Sequence, residues 1–252
     1  MWILAAGLVC ACLPAVAQAG QSVRLHATLT PERLGQGTTV GFSIQILAPR
    51  GRVPSPVTSI DLSYPGELGI ALSGLGLDTC GLKALEAFGL GACPADSRMG
   101  YGRALAEIPI GPAIVHEYAR VAIVRAPVQE GHIALIFYVD GTSPVYAQLT
   151  LPALLLTASP PFGGRVSIDL PLVPSVPEAS DVALVELRGT LGPQHLTYYE
   201  RVRGRLVPYR PKGIALPGNC PRGGFPFLAA FAFLDGTRAT ARSAVPCPRR
   251  GR

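Results

Sequence analysis

Glycine and proline interrupt this chain from end to end, with 29 Gly and 25 Pro among 252 residues, spread throughout rather than gathered into one linker. Helices rarely survive such punctuation, because proline removes a backbone donor and glycine raises the entropy that folding must overcome. What lies between the breaks alternates with period two. Val23, Leu25, Ala27 and Leu29 share one face of an extended segment, and Val40, Phe42, Ile44 and Ile46 share another. Further apolar runs cover 60–64, 114–124, 133–139, 145–151, 166–170, 182–187 and 227–234, most of them bounded by Gly, Pro or Asp-Gly. These are strand and hairpin signals. Only Leu82 to Phe88 reads as helix. With 48% apolar and 15% charged residues the chain is not disordered. The expected class is all-β, a β-sandwich.

Compared with itself, the chain shows a shifted likeness. Ser43-Ile44 through Ile60-Asp61-Leu62 matches Ser167-Ile168 through Val185-Glu186-Leu187, at an offset of 124 to 125 residues. Each block contains a Pro-rich connection (Pro49, Pro54, Pro56; Pro171, Pro174, Pro177). Gly91-x-Cys93-Pro94 matches Gly218-x-Cys220-Pro221 at an offset of 127, and a hairpin follows each, turning at 109–112 and at Asp235-Gly236. The expectation is two related immunoglobulin-like sandwich modules, 20–126 and 127–252, joined somewhere between 118 and 145.

Residues 1–19 read as an export leader. Trp2 to Leu13 is apolar, Pro14 breaks the run, and Ala17 and Ala19 stand where a signal peptidase reads small residues. The run falls short of the ~18 apolar residues a spanning helix requires. No Lys or Arg precedes it, so either the start lies upstream or the terminal amine is its only positive charge. A second reading takes Val9-Cys10-Ala11-Cys12 as a poor lipobox acylated on Cys12. In an exported chain the remaining cysteines are expected to pair as neighbours, Cys80–Cys93 and Cys220–Cys247, one bridge per module. Zinc is the weaker reading, since the spacing is too wide and no His follows at ligand distance. A two-residue turn at Asp235-Gly236 leaves Cys220 and Cys247 out of register, so a curl at Cys220-Pro221-Arg222-Gly223-Gly224 has to make up the difference.

The net charge is +6, and of 22 cations only Lys83 and Lys212 are lysines. That skew reads as codon usage in a G+C-rich genome, so nucleic acid is not an expected partner. Neither G-x-S-x-G nor H-E-x-x-H occurs. His26, His116, His132 and His195 are scattered. His116-Glu117 and Glu130-Gly131-His132 flank two predicted strands, yet neighbouring residues on a strand point to opposite faces. Arg201, Arg203 and Arg205 alternate with Val202, Gly204 and Leu206. On one continuous strand the three would line a single face, as a candidate anion-binding set or as the solvated side of an edge. Of Tyr198 and Tyr199, a sugar-stacking candidate, only one would face a given partner. Phe225, Phe227, Phe231 and Phe233 have the spacing of core.

Two stretches carry a resemblance. Cys93-Pro94-Ala95-Asp96-Ser97-Arg98-Met99-Gly100-Tyr101-Gly102 and Asn219-Cys220-Pro221-Arg222-Gly223-Gly224-Phe225-Pro226-Phe227, with Val245-Pro246-Cys247-Pro248, resemble a family of exported bacterial proteins. The likeness implies export and a β-rich fold, and it transfers no activity or catalytic residue. The functional expectation is a secreted or envelope-associated non-catalytic protein with a structural or binding role. No cofactor or metal is expected; the residues name no partner, and the candidates are an anionic envelope polymer or another envelope protein. The alternative is an extracellular, glycan-active hydrolase, which requires a cleft holding two carboxylates about 5 to 10 Å apart.

Overall fold

The computed structural model describes residues 20–49, 52–70, 73–144, 146–173 and 181–248. The expected leader, and Cys12 with it, lies outside the described residues. The alternating runs become strands: β1 (Ser22–Thr30), β2 (Gly37–Leu47), β3 (Val57–Pro65), β4 (Arg98–Ile110), β5 (Ala113–Gln129), β6 (His132–Ser143) and β7 (Gln148–Leu156). They continue as β8 (Phe162–Asp169), β9 (Ala183–Leu191), β10 (Tyr198–Val202), β11 (Arg205–Tyr209), β12 (Ile214–Ala215), β13 (Phe225–Phe233) and β14 (Arg238–Val245). The helix α1 occupies Leu82–Phe88, the span its sequence marks.

In a 12-stranded antiparallel sheet the strands run β1-β2-β9-β4-β5-β6-β7-β8-β3-β13-β14, with β12 attached to β2. The sheet rolls until its edge strands meet. On β1 the Ala27 N–H donates to Ser243 Oγ of β14 at 3.1 Å, and Gln21 donates to Asp235 and Thr237 at the tip of the β13–β14 hairpin. This barrel-like closure covers what would otherwise be two exposed edges. Inward residues from nearly every strand form one core, including Ile44, Ile60, Ile123, Leu135, Ile168, Leu187 and Phe231.

Two separate modules, 20–126 and 127–252, are therefore not what the chain builds. β9 lies between β2 and β4, and β3 lies between β8 and β13, so strands of both halves alternate in one sheet. The strand order nevertheless contains a repeated path. Taken as β1-β2-β9-β4-β5 and β7-β8-β3-β13-β14, the sheet follows one path twice, with β3 and β9 exchanged and β6 between the groups. Register agrees. Leu25, Ile44, Leu187, Ala104 and Ala119 are successive cross-strand partners in the first group. Ala153, Ile168, Ile60, Phe231 and Ala239 are the same in the second. Ala104 and Phe231 stand 127 residues apart, the offset that separates Cys93 from Cys220. Sequence matching set Leu62 beside Leu187, whereas register sets Ile60 there. A two-residue slip keeps the inward face, which is why the pattern alone did not expose it.

Exchange forces long crossings. The ends of β2 and β8 and the starts of β3 and β9 lie at one end of the barrel, and the ends of β3 and β9 lie at the other. Segment 66–97 lays α1 on the outside of the sheet, where Cys80, Leu85 and Cys93 pack on Val124, Ala134, Ile136 and Tyr138. Both expected bridges form, Cys80–Cys93 and Cys220–Cys247. The β13–β14 loop has three residues, Leu234 to Gly236, because the Phe233 N–H donates to the Thr237 carbonyl. The expected curl then brings Cys220 to Cys247: the Gly224 N–H donates to the Pro221 carbonyl, with Gly223 and Gly224 at φ 85° and 88°.

Candidate functional site

The barrel is unfilled at the end where β2 and β8 finish and β3 and β9 begin. A cavity of about 270 Å³ lies there, room for roughly nine waters. Side-chain size explains it. Ala104, Ala119 and Gly141 are successive cross-strand partners across β4, β5 and β6, all lining the cavity, so at that level three neighbouring strands contribute almost no bulk. Val121, Val139, Leu149, Leu151, Leu184 and Leu187 form the walls, and Pro56, Pro171, Leu172 and Val173 from the two connections also line it. Deeper in the barrel lies a second void of about 80 Å³, and Phe137 borders both.

Among the described lining residues one is charged. Glu117 on β5 is 8% exposed, and its Oε1 accepts the Ser143 N–H at 3.2 Å. A carboxylate is costly to bury, so its place in an apolar wall is a chemical signal as well as a structural brace. Its neighbour His116 points outward and meets Glu107 at 3.5 Å. Glu130 and His132 sit in the β5–β6 turn at the far end of these strands, so the two His/Glu pairs do not converge. Among the described residues the cavity presents one carboxylate where a glycosidase needs two. No three metal-ligating side chains gather among them either.

The three arginines read from the sequence do not share a face. Arg203 and Gly204, at φ 48° and 81°, form a two-residue turn between β10 and β11, so the run is a hairpin rather than one strand. Arg201 pairs with Leu206 and Arg205 with Val202, on opposite faces. Glycine at 204 makes that turn possible, and the alternation concealed it.

Tyr198 and Tyr199 diverge as their spacing requires. Tyr199 is exposed, and Tyr198 is fully buried, edge-on to Tyr209. The Tyr198 hydroxyl donates to the Arg98 carbonyl and accepts the Gly76 N–H at 3.0 Å, tying 66–97 to 192–224. Burial pushes its pKa up to about 12. The Phe225, Phe227, Phe231 and Phe233 set is core. Among the described residues no helix is long and apolar enough to cross a membrane. The two disulfides indicate an oxidising, extracellular environment.

The sequence missed the cavity because its lining comes from seven strands, and no single stretch carries it. The only local trace is the run of small inward residues Ala104, Ala106 and Ala119. Comparison with known proteins returns no matching family model, no matching curated protein and no matching solved structure.

Proposed function

We propose that this chain is an exported, non-catalytic binding protein that holds one apolar molecule in the end cavity of its barrel. The cavity itself carries the reading: about 270 Å³, walled by aliphatic side chains, with a single buried carboxylate. Its size stands at the lower edge of ordinary ligand sites, which suits one medium-length chain or a small ring system. The leader at 1–19 and the paired cysteines support export. Glu117 sets the ligand's polarity. With no cation among the described lining residues, the site favours a molecule bearing a hydroxyl or an amine and disfavours a fatty carboxylate.

The neutral fluorophore N-phenyl-1-naphthylamine tests this. It should bind saturably at one site, and Ala104→Phe should weaken binding by about tenfold or more by filling the space. Absence of saturable binding, or unchanged binding in Ala104→Phe, would overturn the proposal. Decanol and decylamine should displace the probe better than decanoate, and equal displacement by all three would remove the role given to Glu117.

A further inference from the structure

The outer face of the first strand group carries a feature that the cavity does not use. His26, Ser43, Arg188, Arg103 and Arg120 are successive cross-strand partners across β1, β2, β9, β4 and β5. Their sheet neighbours Ala104 and Leu187 point inward, so this row faces out. Arg103 therefore has an arginine directly opposite it on each side. Like charges so placed repel, and a fold does not gain from the arrangement. Two carboxylates relieve the outer pair: Asp140 meets Arg120 at 2.9 Å, and Glu186 meets Arg188 at 2.5 Å. Among the described residues Arg103 has no hydrogen bond or ion pair.

Around the row lies a shallow concavity floored by Gly41 and edged by Thr28, Ser43, Tyr101 and Thr190. Any side chain at Gly41 would collide with the Thr28 hydroxyl. The duplicated half shows that the fold does not need these arginines. The equivalent outer row there is Leu154, Ser167, Asp61, Ala230 and Thr240, so Asp61, Ala230 and Thr240 replace Arg188, Arg103 and Arg120. Topology and register are the same, and the row of cations is absent.

We infer that the row Arg188–Arg103–Arg120 is a binding site for a linear polyanion, with one anionic group seated over Arg103 between its two neighbours. Guanidinium groups in a fixed fork match phosphate and sulfate oxygens, and adjacent strands set them about 4.8 Å apart. Asp140 and Glu186 flank the row and confine the positive strip to a narrow line. A broad anionic bilayer would meet those carboxylates, whereas a single chain avoids them. The row lies on the outer face of the wall whose inner face, at Ala104, Ala119 and Leu187, lines the cavity, so the two ligands would occupy opposite sides of the sheet.

Titration of the mature protein with inorganic polyphosphate, read by calorimetry, tests the inference. Arg103→Ser should weaken binding about tenfold, the loss of charge-assisted hydrogen bonds, and the Arg103/Arg120/Arg188→Ser triple variant should abolish it. These exposed side chains leave the core intact, and retention of both disulfides with unchanged circular dichroism checks that. Replacing Arg201, Arg203 and Arg205 together should leave affinity unchanged, which separates a site from net charge. Phosphatidylglycerol vesicles should bind less well than polyphosphate. Polyphosphate binding that survives the row variant, falls equally in the hairpin variant, or is surpassed by vesicle binding would overturn the inference.

Discussion

The two strand groups follow the same path, yet they have diverged at matched positions in opposite senses. Ala104 in the first group corresponds to Phe231 in the second, and the inward side of the barrel is hollow beside one and filled beside the other. On the outside, Arg103 corresponds to Ala230, so one group bears a row of cations and the other does not. The backbone plan tolerates either choice. The cavity and the arginine row lie where the groups differ, and the shared positions, such as Ile44 and Ile168, carry the common core.

The largest effect is expected where the filled group is made to imitate the hollow one. Phe231→Ala should destabilise the protein by about 3–5 kcal/mol in urea denaturation, since a large buried ring leaves a void that the sheet cannot collapse. A loss below about 1 kcal/mol would mean that the second group also has slack to absorb it. Next come the bridges. Cys93 and Cys220 are equivalent positions with different partners, separated from them by 13 and 27 residues. Replacing Cys220 and Cys247 by Ser should cost between ~3 and ~4 kcal/mol, slightly more than replacing Cys80 and Cys93, because the longer loop restricts the unfolded chain more. The reverse order would show that the α1 segment depends on its bridge beyond chain entropy.

Tyr198→Phe probes the joint between the two crossings. Loss of the hydroxyl leaves the Arg98 carbonyl and the Gly76 N–H without this partner, at an expected cost of about 1–3 kcal/mol. The pH dependence has a definite sign. With the folded pKa near 12 and the ordinary value 10.0, the folded state holds its proton more tightly. Stability is therefore retained below pH 10.0 and declines as pH rises toward 12. Tyr198→Phe should flatten part of that decline, and an identical alkaline slope in the variant would contradict the assignment. The smallest effect belongs to the mirror of the first substitution. Ala104→Leu should change stability by no more than about 0.5 kcal/mol, because the new side chain enters existing space, whereas overpacking a filled site such as Ala229 should cost about 1–3 kcal/mol.

Much of this architecture is local and was legible without the fold. Period-two alternation marked the strands, α1 falls on Leu82–Phe88, and the near-neighbour cysteines pair as their separation favours. The offset likeness coincides with a repeated strand path, but it concealed an exchange of β3 and β9, since a repeated sequence is silent about which half supplies a strand to which group. The Arg201–Arg205 run misled for a related reason. Alternation is also what a tight hairpin shows on either side of its turn, and Arg203-Gly204 adopts the positive φ angles that such a turn requires.

The sequence by itself determined what short-range chemistry determines: an all-β chain, its breaks and its bridges. Only the tertiary structure decided the single rolled sheet, the hollow beside Ala104 and the row that joins Arg188, Arg103 and Arg120. The physical reason is register. Cross-strand neighbours are set by hydrogen-bond ladders between segments far apart in the chain, so a cavity wall or a line of charge exists only once those ladders are in place.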